Sequence, residues 1–321
     1  MDIKQFTAEK EIRLDLFLCE QLNQSRNQTE QLIKKGFVKV QNKSKAKSGL
    51  KLQAGQLITV ELPPVQKQEA MPVDFDVEII YEDDYFMVLN KPANVVVHGA
   101  PSVKEATLVD WLKKKGVSLS TISGEERHGI VHRLDKGTSG LIVIAKTNEA
   151  HTALSKQLED KTMGRYYLAL TDQPLKEDIT IEKPIARNPN NRLKMGIVPT
   201  GKNAKTSFIK LDTSLNEKYE LIAAKLFTGR THQIRVHLES LHRHILGDTL
   251  YGFKGKTDKI SRVYLHAFCL YLKHPVTGEN MSFKADLPND MKTFYNEYFQ
   301  KENYCEKIND NFIIDRFNSP I

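Results

Sequence analysis

The chain has 321 residues, room for about two domains, and its 40% hydrophobic and 27% charged content is that of an ordinary globular protein. No run approaches the roughly 18 apolar residues of a membrane span, "MDIKQFTAEKEIRLD" has no apolar signal core, and Cys19, Cys269 and Cys305 make neither a disulfide framework nor a zinc pattern. A cytoplasmic protein without membrane attachment is expected, and the net charge of +7 is too modest to establish nucleic-acid binding by itself.

Residues 11–62 read as a small α/β module. "IRLDLFLCEQL" is an amphipathic helix. Ser25 is a candidate N-cap for a second helix, "RNQTEQLIKKG", which stops at Gly36. "FVKV" and "QLITVEL" alternate as strands do. Arg26, Lys34, Lys35, Lys39, Lys43, Lys45, Lys47 and Lys51 face only Glu30 within residues 26–51. Such a surface attracts phosphate backbones, although a solvated helix face has the same composition. Residues 63–74, with Pro63, Pro64 and Pro72, read as a linker.

Residues 75–300 carry many strands. Two flank the Asp83-Asp84 turn in "VEIIYEDDYFMVLNKP", and "GLIVIAK" is a buried strand. "RYYLAL", "TSFIKL", "YELIAAKLF" and "RVYLHAFCLYL" follow the same pattern. Helices are expected at "TLVDWLKKKG", at "NEAHTALSKQLEDK" with Asn148 as N-cap, and at "THQIRVHLESL" after a "TGR" turn. The fold class is α+β, a mixed and mostly antiparallel sheet. Residues 301–321 read as an appended tail with a small apolar patch.

The stretch "HRLDKGTSG", residues 132–140, places Asp135 at the mouth of a buried strand, flanked by Arg133 and Lys136. Those cations would hold a carboxylate ionised, and a fixed, ionised carboxylate can act as a nucleophile. An aspartate that merely organises the turn through Thr138 and Ser139 fits equally well. Arg235, on the "THQIRVHLESL" helix, needs a carboxylate partner if buried; Asp135 is one candidate, and Asp248 in "GDTLYG" reads as a local turn former. His128 and His132 are four apart, but no "HExxH" pattern accompanies them, so no metal is expected. "GxxxxGKS", "GxGxxG" and "GxSxG" are also missing, so neither a nucleotide cofactor nor a serine hydrolase is supported.

Taken together, "NKPANVVVH", "GIVHRLDKGTSGLIVIAK", "KTMGRYYLAL", "PIARNP", "GKNAKT", "TGRTHQIRVHL", "GDTLYG" and "YLKHPVTGENMSFKADLP" resemble, in order, the motifs of the RluA-type RNA pseudouridine synthases. The N-terminal module resembles the RNA-binding domain first seen in a small-subunit ribosomal protein, the S-four type. The resemblance implies that the uridine C1′–N1 bond is broken and the base rejoined through C5, with no redox cofactor, ATP or metal. It implies that Asp135, Tyr167 and Arg235 are the catalytic set, with Tyr167 against the uracil and Arg235 paired to the aspartate. Arg133 would enter the RNA stack where the uridine leaves it. Arg230 is grouped with the substrate-binding residues, and His132 either contacts RNA or shapes the turn. Arg26, Lys34, Lys35 and Lys39 would bind RNA through the module. The implied partner is structured RNA, foremost large-subunit ribosomal RNA or an assembling subunit, with transfer RNA or a non-catalytic RNA-binding role as alternatives; the protein is expected to be a monomer. The sequence departs from the family pattern at Gly137, at Asn94 in place of a glycine, and at Arg165 where lysine is frequent.

Overall fold

A computed structural model describes residues 2–22, 26–41, 46–62, 72–99, 103–120, 128–255 and 260–318. Ser25, Lys43, Lys45 and the linker as far as residue 71 lie outside them. The chain forms two compact units, Met1–Met71 with Ser120–Gly129, and Pro72–Leu119 with Ile130–Ile321. Among the described residues no helix is long and apolar enough to cross a membrane.

In the first unit the elements run β1 (Asp2–Thr7), β2 (Ile12–Arg13), α1 (Leu14–Leu22), α2 (Arg26–Lys34), β3 (Val38–Val40), β4 (Lys51–Leu52) and β5 (Leu57–Leu62). Antiparallel β1, β5 and β3 form one sheet, and β2 pairs with β4. Leu14, Phe17 and Leu18 from α1 pack with Ile33, Val38, Leu52, Ile58 and Val60 into one core. Strand β1 falls before the module expected from sequence. "DIKQFT" has little apolar alternation, and Ile3 is exposed; its pairing with β5 makes it a strand.

In the second unit come β6 (Glu78–Glu82), β7 (Phe86–Lys91), α3 (Leu108–Lys114), β8 (Ser139–Ala145), α4 (Asn148–Glu159), β9 (Gly164–Thr171), β10 (Ile179–Glu182), β11 (Ile185–Arg187), β12 (Met195–Ile197), β13 (Lys205–Thr213), β14 (Glu220–Leu226), α5 (Gln233–Glu239), β15 (Leu265–Lys273), β16 (Asn280–Lys284), α6 (Asn289–Tyr298), α7 (Tyr304–Lys307) and α8 (Asp310–Asn318). A nine-stranded sheet runs β10-β13-β14-β9-β15-β8-β7-β6, with β16 also on β15. Every pairing is antiparallel except β15 with β8. The N-cap of α4 is Thr147, whose hydroxyl accepts from Ala150 N, and not Asn148, which is the first helical residue.

Two features differ from the sequence reading or extend it. Residues 303–318 do not trail as a tail: α7 and α8 fold back, and Ile308, Ile313 and Phe317 are buried in the main core. Ile313 and Phe317, one turn apart on α8, and Ile308 just before it are enough to hold such a segment once a core face is available. The sheet also forks. Strand β15 pairs with β8 only at Ser139 and Gly140, then with β16 from Cys269 onward. The edge of β8 beyond Gly140 is met by the chain leading to Asp135: Ile130 bridges Ile144, and Val143 N donates to His132 Nε2 at 3.1 Å.

Candidate active site

The fork fixes the "HRLDKGTSG" segment from several sides. Gly140 runs at φ +106° so close to β15 that a Cβ there would lie 2.2 Å from Ala267 O; only glycine fits. Upstream, Leu134 is buried in the core, and Thr138 N donates to Asp135 O at 3.1 Å, closing the turn. Lys91, fully buried at the end of β7, donates to Pro92 O (2.7 Å), Val95 O (2.9 Å) and Lys136 O (3.4 Å). Arg262, paired with Asp290, reaches Ser139 Oγ at 3.3 Å. Two buried cations therefore grip the turn through its carbonyls and hydroxyl. Burial pushes the Lys91 ammonium down to about 7 against the opposing field of Asp135.

Of the cations expected beside Asp135, the distant one pairs with it and the flanking ones do not. Lys136 turns outward to Glu105 (2.8 Å), and Arg133 is exposed. The partner of Asp135 is Arg235 on α5, whose NH1 donates to Oδ2 at 3.1 Å. Asp248 is more than a turn former. It accepts from Tyr251 N at 3.3 Å, but it also takes Nε and NH2 of Arg235 at 2.7 and 2.8 Å. The guanidinium is thus shared between a buried carboxylate that locks it and a less buried one that faces the site. Burial disfavours its charge, and the two carboxylates outweigh burial, so its pKa is raised. The Tyr251 ring lies 4.7 Å from the guanidinium. His232, in the left-handed region at the head of α5, places Nε2 3.8 Å from Asp135 Oδ1 and bonds Tyr251 Oη through Nδ1 at 2.8 Å. Burial holds its imidazole below the ordinary histidine range despite Asp135.

Tyr167 and Tyr166 alternate across β9. Tyr166 packs on the rings of Tyr271 and Phe317. Tyr167, 5% exposed, is the one whose hydroxyl feels Asp135: burial raises its pKa, Arg165 opposes and Asp135 reinforces. The structure therefore joins Asp135 and Arg235 directly, and the charge of Asp135 acts on the Tyr167 hydroxyl. Arg230 is separate, its partly buried side chain donating through Nε to Asn203 O at 3.0 Å. His132 faces inward: its Nε2 replaces a strand partner for Val143, and burial pushes its pKa down to about 3. Of its two readings, this is the turn-shaping one. Asn94 stands at φ 66°, a conformation that asparagine tolerates and glycine adopts freely. Gly137 has no positive φ, and a Cβ there would make ordinary contact with Val263 at 3.4 Å, so this departure does not disturb the turn.

In the first unit the basic cluster is partly neutralised by Glu30 and by acids outside the window read in sequence. Arg26 pairs with the buried Asp15 (2.8 Å) and with Glu30 (3.4 Å), Lys39 with Glu61, and Lys51 with Glu11 (3.5 Å). Lys34 and Lys35 are exposed and make no ion pair among the described residues.

Comparison with known proteins matches the same regions. The RNA pseudouridylate synthase family model covers residues 85–240, and the S4 domain model covers residues 12–58. An uncharacterized RNA pseudouridine synthase of Helicobacter pylori strain J99 is 49% identical over 313 residues, 95% of each chain. The chain belongs to the RNA pseudouridine synthase family. The synthase is also 36% identical over 309 residues to the ribosomal large subunit pseudouridine synthase D of Zymomonas mobilis, covering 92% of this chain and 97% of that one. The structure titled human RNA pseudouridylate synthase domain containing 1 shares the fold, with a TM-score of 0.57 at 24% identity over 73% of this chain and 94% of that one. Lys91, Arg262, His232 and Tyr251 had no role in the sequence reading, and Asp248 had only that of a turn former. Lys91 carried a signal, a lone charge ending the apolar run "FMVLNK"; the other four become partners only through the fold.

Proposed function

We propose that the synthase isomerises uridines in structured large-subunit ribosomal RNA, as a monomer in the cytoplasm, with Asp135 acting on the extruded nucleotide. The observation that carries this reading is the Asp135 carboxylate 3.1 Å from an Arg235 guanidinium anchored by Asp248. A carboxylate so aimed suits attack on C1′ or on the ring, or abstraction of a sugar proton. Tyr167 stacks on the uracil and its hydroxyl serves proton removal from C5. The exposed Arg133 fills the gap in the RNA stack, offsetting part of the cost of extrusion, and Arg230 contacts the RNA backbone at the rim. Lys34 and Lys35 supply phosphate contacts from the first unit. The ribosomal substrate is supported by the name of the Zymomonas relative.

The test is chemical mapping of pseudouridine in ribosomal and transfer RNA from a strain lacking the protein, complemented with wild type or Asp135→Asn. Ribosomal sites should vanish, return with wild type and stay absent with the variant, whose RNA affinity persists. Loss confined to transfer RNA would overturn the substrate, and an active Asp135→Asn protein would overturn the site.

A further inference from the structure

Among the described residues the buried arginines are paired, with one exception. Arg235 has two carboxylates and Arg262 has Asp290. Arg165, 8% exposed, has neither an ion pair nor a hydrogen bond among the described residues, and its Nε is shielded from solvent without a partner. An unpaired buried charge is costly, so its place in the fold carries information. It lies on β9 two residues before Tyr167, and on a strand such residues share a face. Its field reaches the Tyr167 hydroxyl, which Asp135 also influences. Its NH1 lies against Gly229, where a Cβ would come within 2.7 Å of it. A bare guanidinium thus stands on the face of β9 that carries Tyr167, the residue assigned to the uracil.

We propose that Arg165 is a further catalytic residue, a cation that stabilises the uracil when it carries negative charge. When the C1′–N1 bond breaks, its electron pair stays on the base, and the charge spreads over N1, O2 and O4. The sugar is left electron-poor at C1′ or bonded there to Asp135. The base then uses its C5 electron pair to form the C5–C1′ bond, any C1′–Asp135 bond breaking with its electron pair returned to the carboxylate, and net transfer of the C5 proton to N1 restores a neutral ring. Nothing is oxidised or reduced. A neutral uridine gains little from Arg165, whereas the anion gains much, so the interaction raises the rate rather than the affinity. Backbone phosphates are less suitable counter-charges: they stay at the wet rim, where Arg133 is exposed, and the flat base is the part that enters a closed pocket.

This inference rests on Asp135 and Tyr167 bordering the extruded nucleotide, and the test separates the two claims. Full-length wild type, Arg165→Met, Arg165→Lys and Asp135→Asn proteins are compared on a transcript carrying the mapped site, made with uridine or 5-fluorouridine. Loss of the N1-linked nucleoside is followed in single turnover, and RNA affinity by filter binding. Arg165→Met should slow cleavage by at least about 100-fold with affinity within about threefold, and Arg165→Lys should recover about tenfold. Fluorine stabilises the base anion, so the Arg165→Met defect should shrink about tenfold on the fluorinated transcript. An equal defect on both transcripts, or weakened binding at an unchanged rate, overturns the proposal; should Arg165→Met not fold, Arg165→Lys and Arg165→Gln carry the same comparison. Asp135→Asn should be inactive on both transcripts, and its activity would overturn the underlying site instead.

Discussion

Asp135 and Arg235 meet at 3.1 Å across a separation of 100 residues, through one nitrogen of a guanidinium whose other nitrogens belong to Asp248. The geometry needs a planar fork, which lysine lacks. Arg235→Ala should slow isomerisation by about 10²–10³-fold and, by stranding the buried Asp248, destabilise the protein by about 3 kcal/mol. Single-turnover kinetics and urea denaturation measure the two. A pure loss of RNA affinity would assign Arg235 to a phosphate instead.

Acid should weaken the second unit through His132. Its folded pKa is about 3 against an ordinary 6.5. Between those values the unfolded chain binds a proton that the folded chain refuses, so stability is lost as pH falls through that window, by an amount on the order of a few kcal/mol. His266 adds to the same slope. Burial lowers it to about 4, and its Nε2–H donates to Ala285 O. His132→Gln, which keeps an acceptor for Val143 N, should show a smaller drop in urea midpoint between pH 7 and 5. An unchanged drop would show that His132 is not the titrating group.

Gly140 should not accept a side chain. A Cβ would collide with the backbone of Ala267 at a positive φ, so Gly140→Ala should cost about 3 kcal/mol or more. Thermal melting reads this directly. A near-normal melting temperature would mean that β15 can retreat from β8.

Charge reversal at Lys34 and Lys35 should weaken RNA binding and reduce the salt slope by about 1.5 or more, because both are exposed and make no ion pair among the described residues. Arg26→Ala should instead act on folding, since its guanidinium supports the buried Asp15 carboxyl, which hydrogen bonds from Arg13 and Arg26 hold below the usual range. Half of Arg26 is exposed, so a cost of about 1 kcal/mol or less is expected. Salt-dependent filter binding and melting curves separate the two effects. Loss of the salt slope in Arg26→Ala alone would reverse the assignment.

Much of this was legible in the chain because its signals are local. The apolar run "GLIVIA" buries every residue of β8, and the ordered motifs place Asp135, Tyr167 and Arg235 in one family pattern. Asn148 misled by one residue because Thr147, equally able to cap, precedes it. The tail reading failed because Ile313 and Phe317 become core only when a core face is there to receive them.

Sequence by itself determined the ordered motifs of the family and most of the stretches that become strands, since periodicity and residue type act over a few positions. Tertiary structure decided the company each charge keeps. Inserting β15 between β9 and β8 draws Lys91, Arg262 and His132 around the turn of Asp135, sends Lys136 to Glu105 and gives Arg235 to Asp248. It also leaves Arg165 buried beside Tyr167 without a counter-ion. Charge pairing depends on distances of a few ångströms between residues far apart in the chain, and no local pattern encodes those distances.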